Sequence, residues 1–137
     1  MNTLIEDNKD ILEPWILIDG IQDQIMFIEA IHDDYEGFRI LLQGENKNSN
    51  MLRIVFDNKL SYRNTNESYL LKIWHTNRKE ILGKVFYIIS NSSYIDFFHE
   101  MTGNIYNDWN LKHYAIYTIT DCLDIISCYP PKIEWLN

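Results

Sequence analysis

The feature that most limits the fold of this chain is a two-residue alternation of apolar side chains, interrupted at short intervals by turn residues. Over 52–56 (LRIVF), Leu52, Ile54 and Phe56 fall on one face and Arg53 and Val55 on the other, the signature of a strand with one buried side. Over 113–119 (HYAIYTI), Tyr114, Ile116 and Thr118 alternate with His113, Ala115, Tyr117 and Ile119. Val85–Ile89 is apolar throughout, as expected of a strand covered on both faces near the middle of a sheet. A β-rich run from Ile25 and the run Phe38–Leu42 flank the acidic turn Asp33–Gly37, which predicts a hairpin.

Only one segment has a strong helical period. Tyr94, Phe97, Phe98 and Met101 stand at i, i+3, i+4 and i+7, with Ser93 as the expected cap, Asp96 three residues on, and Gly103 placed as a stop. The spacing predicts a helix over about 93–102. Six to eight strands with one main helix specify an α+β fold, a curved antiparallel sheet or partial β-barrel, in a single domain spanning the 137 residues. Helices are too few for a doubly wound parallel sheet.

The remaining segments read less sharply. Residues 1–15 form a loose lead-in whose Ile11, Leu12 and Trp15 could dock on the core, and Ile16–Ile18 is a short strand before the turn Asp19-Gly20. Gly44–Asn50 is a polar loop, Tyr69–Trp74 a strand, and His75–Glu80 a loop. Asp121–Ser127 is a strand or a turn of helix, ended by Pro130-Pro131.

Charge is the next constraint. The net charge is −8, and it belongs to one part of the chain. Residues 1–36 hold ten acids (Glu6, Asp7, Asp10, Glu13, Asp19, Asp23, Glu29, Asp33, Asp34, Glu36) against one base, Lys9. The other residues are almost neutral. An acidic chain of this kind is not built to neutralise phosphates, so nucleic acid is not an expected partner. Localised acidity instead fits a basic protein partner or simple solubility. No apolar run approaches the roughly 18 residues that a membrane span needs. The first residues, MNTLIEDNKDILEPW, have neither the basic nor the apolar region of a secretory signal, so the expected location is cytoplasmic.

Residue types that carry chemistry do not fall into catalytic patterns. His32, His75, His99 and His113 are scattered, and Cys122 and Cys128 are six apart, wider than a structural zinc pair. The five glycines are dispersed, so no phosphate-cradling loop exists. No metal, no cofactor and no catalytic residue is therefore assigned. Candidate binding residues are Tyr62, Arg63 and Glu67, where a guanidinium, a phenol and a carboxylate could hold an anion or brace a loop. His113 joins them, with Asp121 or Asp124 as its partner; as a structural residue it would be a satisfied polar group at a sheet edge. Trp109 lies in the polar stretch Asn-Asp-Trp-Asn and is the best candidate for an exposed aromatic anchor. Glu29, Asp33, Asp34 and Glu36 mark the acidic hairpin.

Three segments, Leu60–Glu67 (LSYRNTNE), Asn91–Phe98 (NSSYIDFF) and His113–Ser127 (HYAIYT followed by DCLDIIS), resemble a family of small uncharacterised bacterial proteins with YRNT-x-E, NSxYxxF and HYxIYTxxDCxDxxS segments. The resemblance covers residues 52–136 and brings no catalytic roles. Phe97 stands where that family often has Trp, and Thr120 where it often has Asn. By analogy, small acidic proteins of this kind look like immunity proteins that block the basic cleft of a bacterial toxin. The leading expectation is thus a non-enzymatic binding protein of the immunity class with a protein partner. The second is a small-ligand binder or enzyme in which Tyr62, Arg63, Glu67 and His113 converge on a concave pocket. The third is a structural or assembly protein with a large apolar self-interface.

Overall fold

The computed structural model describes residues 9–15, 26–44, 50–66, 85–118 and 120–136. The segment Ile16–Ile18, the turn Asp19-Gly20, the strand expected over Tyr69–Trp74, the loop His75–Glu80 and most of the loop 44–50 lie outside these residues. The described residues form nine strands and one helix in two antiparallel sheets that do not close into a barrel, an α+β fold. The strands are β1 (Ile11–Pro14), β2 (Met26–Asp34), β3 (Gly37–Gly44), β4 (Met51–Phe56), β5 (Lys59–Asn66), β6 (Phe86–Ser90), β7 (Lys112–Tyr117), β8 (Asp121–Ser127) and β9 (Lys132–Leu136), and helix α1 spans Ser93–Met101.

One sheet has the order β1-β6-β7-β8-β5 and the other β2-β3-β4-β9. Alternation decides how they pack. Leu52, Ile54 and Phe56 of β4 are fully enclosed together with Phe38, Ile40 and Leu42 of β3. They meet Phe86, Tyr114, Ile116, Leu123 and Ile125, the inward face of the five-stranded sheet, in one core. Rings knit this core: Phe56 lies 5.3 Å from Tyr114, and Trp15 4.9 Å from the same ring. The opposite face of β7 and its neighbours is buried as well, with Leu12, Tyr87, Ile89, Ala115, Tyr117 and Cys122 forming a second cluster. Both faces of β7 are therefore covered, as are those of β6 beside it.

The hairpin β2–β3 turns at Tyr35-Glu36, and Gly37 adopts φ +113, a conformation that side chains with a Cβ rarely take. The lead-in is more ordered than its composition suggests. Ile11–Pro14 pairs with β6 in the register Leu12↔Ile89, and Leu12 is buried. Pro14 is tolerated because β1 is the outermost strand of the sheet as described. Asp121–Ser127 is a strand, paired on both sides by β7 and β5.

Helix α1 differs from expectation in two ways. Its N-cap is Ser92, not Ser93: Asn91 turns the chain at φ 49, and the Ser92 hydroxyl accepts from the Ile95 N–H at 3.0 Å. Ser93 is already engaged, since its N–H and hydroxyl donate to the Asp10 carboxylate at 2.8 and 2.7 Å. Second, the expected apolar stripe does not all turn inward. Tyr94 is buried and Phe98 half-buried, whereas Phe97 and Met101 are exposed. The helix is fastened at its first turn by polar contacts rather than along an apolar stripe. It stops at Gly103 (φ +63) as expected, with the Gly103 N–H donating to the Glu100 carbonyl at 3.2 Å.

Candidate functional site

Two places hold the residues singled out from the sequence. The first lies between α1 and the outer face of the five-stranded sheet. Strand pairing sets Arg63 of β5 opposite Asp124 of β8, and Asp124 opposite Ala115 of β7. His113, two residues before Ala115, shares its face. His113 Nε2 is 2.6 Å from Asp124 Oδ1, the Tyr117 hydroxyl donates to the same oxygen at 2.6 Å, and Arg63 Nε donates to Asp124 Oδ2 at 3.2 Å. On its other side, His113 Nδ1 is 2.7 Å from Ser92 Oγ. With the imidazole hydrogen on Nε2, Ser92 Oγ donates to Nδ1 and accepts from the Ile95 N–H, so the hydroxyl and both ring nitrogens of His113 have partners.

Tyr94 closes the cluster from above. Its hydroxyl is 2.5 Å from Ser61 Oγ, its ring lies 4.1 Å from the Arg63 guanidinium carbon, and its edge meets the His113 ring at 5.4 Å. Burial holds the Tyr94 phenol above the usual tyrosine range, opposed by the Ser61 hydrogen bond and the Arg63 charge.

Hydroxyl, imidazole and carboxylate in this order form the relay used by serine nucleophiles. Here Ser92 is 5% exposed, His113 2% and Asp124 0%, and the serine oxygen serves as a helix cap. The relay fastens α1 to the sheet. Charge balance favours that role, because Arg63 offsets the Asp124 carboxylate inside the protein.

Of the four residues expected to converge, Arg63 and His113 do so, through Asp124. Tyr62 does not: it lies on the opposite face of β5, with its ring 4.6 Å from Phe38. Glu67 lies outside the described residues. His113 is not at a sheet edge, because β7 is the central strand of five. Asp121 instead accepts from Thr120 and Asn64, leaving Asp124 as the imidazole's partner. Sequence reasoning missed Ser92, Tyr94, Tyr117 and Ser61 as members of this cluster. The face shared by His113 and Tyr117 was legible in the alternation; the arrival of Ser92 depended on where the helix starts.

The second place is the acidic hairpin with the segment that follows α1. Glu29, Asp33, Asp34 and Glu36 are exposed, but three of them are engaged. Arg39 pairs with Asp34 at 2.7 Å and approaches Glu36 at 3.8 Å, and Lys59 pairs with Asp33 at 2.9 Å. The Arg39 hydrogen bond holds the Asp34 carboxyl below the usual range. Trp109 is half-exposed, with its ring edge-on to Tyr106 at 4.8 Å.

Among the described residues no group of His, Cys, Asp and Glu is arranged to hold a metal ion, and no helix is long and apolar enough to cross a membrane. Cys122 is buried and Cys128 partly so, and neither forms a disulfide. Comparison with protein-family models, with curated proteins and with solved structures finds no match.

Proposed function

We propose that this chain is a non-enzymatic cytoplasmic binding protein that engages a basic protein, in the manner of an immunity protein neutralising a bacterial toxin. One observation carries the reading. The residues best suited to chemistry, Ser92, His113, Asp124 and Arg63, are bonded to one another beneath a helix, whereas the hairpin carboxylates and Trp109 face solvent. Side chains that hold a fold together are turned inward, and those that recognise a charged partner are turned outward. Exposed acids speed the encounter with a basic surface, and an aromatic anchor slows its release.

The test is co-expression with the product of the gene neighbouring its own. The expected outcome is a purified one-to-one complex and restored growth if that product is toxic. A neighbour that neither binds this chain nor is neutralised by it would overturn the proposal.

A further inference from the structure

Among the described residues, eight large apolar side chains are exposed, and four of them, Phe97, Met101, Ile105 and Trp109, belong to the single connection between β6 and β7. Lys59, Ser127 and Lys112 form the last rung of the five-stranded sheet. The connection carrying α1 leaves β6 at Ser90 and returns to β7 at Lys112, level with that rung. Tyr129 follows Ser127, and the Lys59–Asp33 ion pair draws the hairpin tip to the same end.

Within the β6–β7 connection the segment 97–109 stands apart. Phe97 and Met101, one helical turn apart, share a face and are 55% and 67% exposed; Ile105 is 72% and Trp109 51% exposed. The anchor is preorganised: Trp109 rests edge-on against Tyr106, which packs at 5.3 Å on the half-buried Phe98. Glu100 and Asp108, beside Met101 and Trp109, are exposed and have no basic partner among the described residues. The hairpin acids, by contrast, are largely occupied by Arg39 and Lys59.

We infer that the energetic centre of the interface is the ridge Phe97–Trp109 and not the hairpin, and that its occupant is an apolar groove bordered by Lys and Arg on the basic partner. This rests on the function proposed above. Unpaired carboxylates flanking an apolar ridge are complementary to such a groove, and the chain's net charge of −8 opposes a second copy of itself as occupant. The hairpin contributes steering, the ridge contributes residence time.

Surface plasmon resonance with the purified product of the neighbouring gene as probe separates the two contributions. Trp109→Ala and Met101→Ala are each expected to raise the dissociation rate by about 30-fold or more, the scale of an interface hot spot, while leaving circular dichroism and melting unchanged. The triple change Asp33→Asn, Asp34→Asn, Glu36→Gln is expected to lower the association rate by up to about 10-fold, flatten its salt dependence, and leave dissociation within about 3-fold. Binding that persists with dissociation unchanged in both ridge variants would overturn the ridge while leaving the proposed function standing. Absence of wild-type binding would overturn both. A dimer in light scattering that Met101→Lys disperses would assign the ridge to a second copy instead.

Discussion

His113 on β7 and Asp124 on β8 face each other at 2.6 Å beneath α1, and the imidazole's other nitrogen reaches the serine that caps that helix. A single side chain thus joins the start of the helix to the middle of the sheet. The carboxylate it leans on takes three donors, from His113, Tyr117 and Arg63.

Asp124→Asn should therefore be severe. It keeps the volume but removes the charge that offsets Arg63, in a residue with no exposure. Breaking a fully buried pair from one side costs roughly 3–5 kcal/mol, and because the Arg63 side chain is 33% exposed the lower end of that range applies. Urea unfolding should show a loss of this order, and a loss below about 1 kcal/mol would contradict the role given to Asp124.

Ser92→Ala removes the cap and one partner of His113 together. The expected cost is roughly 1–2 kcal/mol, with the effect concentrated in α1. Hydrogen exchange at Ile95 and Asp96 should accelerate while β4 and β8 keep their protection. Uniform acceleration across the chain would show that Ser92 acts on global stability alone.

Alkaline pH should unfold the protein through its tyrosines. Burial raises the Tyr94 phenol, and burial together with the charge of the Cys128 thiolate raises that of Tyr114. The folded state therefore holds these protons when the unfolded state has released them, so stability is full below about pH 10 and falls as pH rises beyond it. Absorbance titration should show a late-ionising fraction that shrinks in Tyr94→Phe. Equal ionisation of all phenols in the folded protein would refute this.

Gly37→Ala tests the hairpin. Nothing lies within 4 Å of a Cβ built there, so crowding is absent and only the backbone at φ +113 is strained. A cost above about 1 kcal/mol is expected, because the native conformation suits glycine alone. Thermal unfolding should register it, and an unchanged melting temperature would argue against the turn geometry.

Much of this architecture was legible along the chain, and the reason is local. The alternation at Leu52, Ile54 and Phe56 reports one buried face whatever strand lies beside it, and all three are enclosed. The alternation in 113–119 likewise separated Tyr114 and Ile116 from Ala115 and Tyr117, which fill different clusters. Strand order is not local. Nothing near His113 reveals that β6 and β8 flank it, so an edge position was expected where the central strand is found. The β1 strand, four residues ending in Pro14, is too short to declare a period and is recognised only by its pairing with β6. The cluster is half visible: residue type marks Arg63 and His113, and Asp124 is one of two acids that fit the imidazole. Ser92 was hidden because its neighbour Ser93 suits the cap equally well by composition.

The pairing of β4 with β9, in the register Met51↔Leu136, has a consequence for the order of assembly. Strand β1 also waits for a distant partner, β6, with Ile11 opposite Ser90. Contacts of such long span make folding slow, since loop closure must precede the reward. During synthesis the hairpin β2–β3 and strand β4 emerge early with one flank of β4 still bare. Neither sheet reaches its set of strands from residues before α1, so β7, β8 and β9 must all emerge before the core can close.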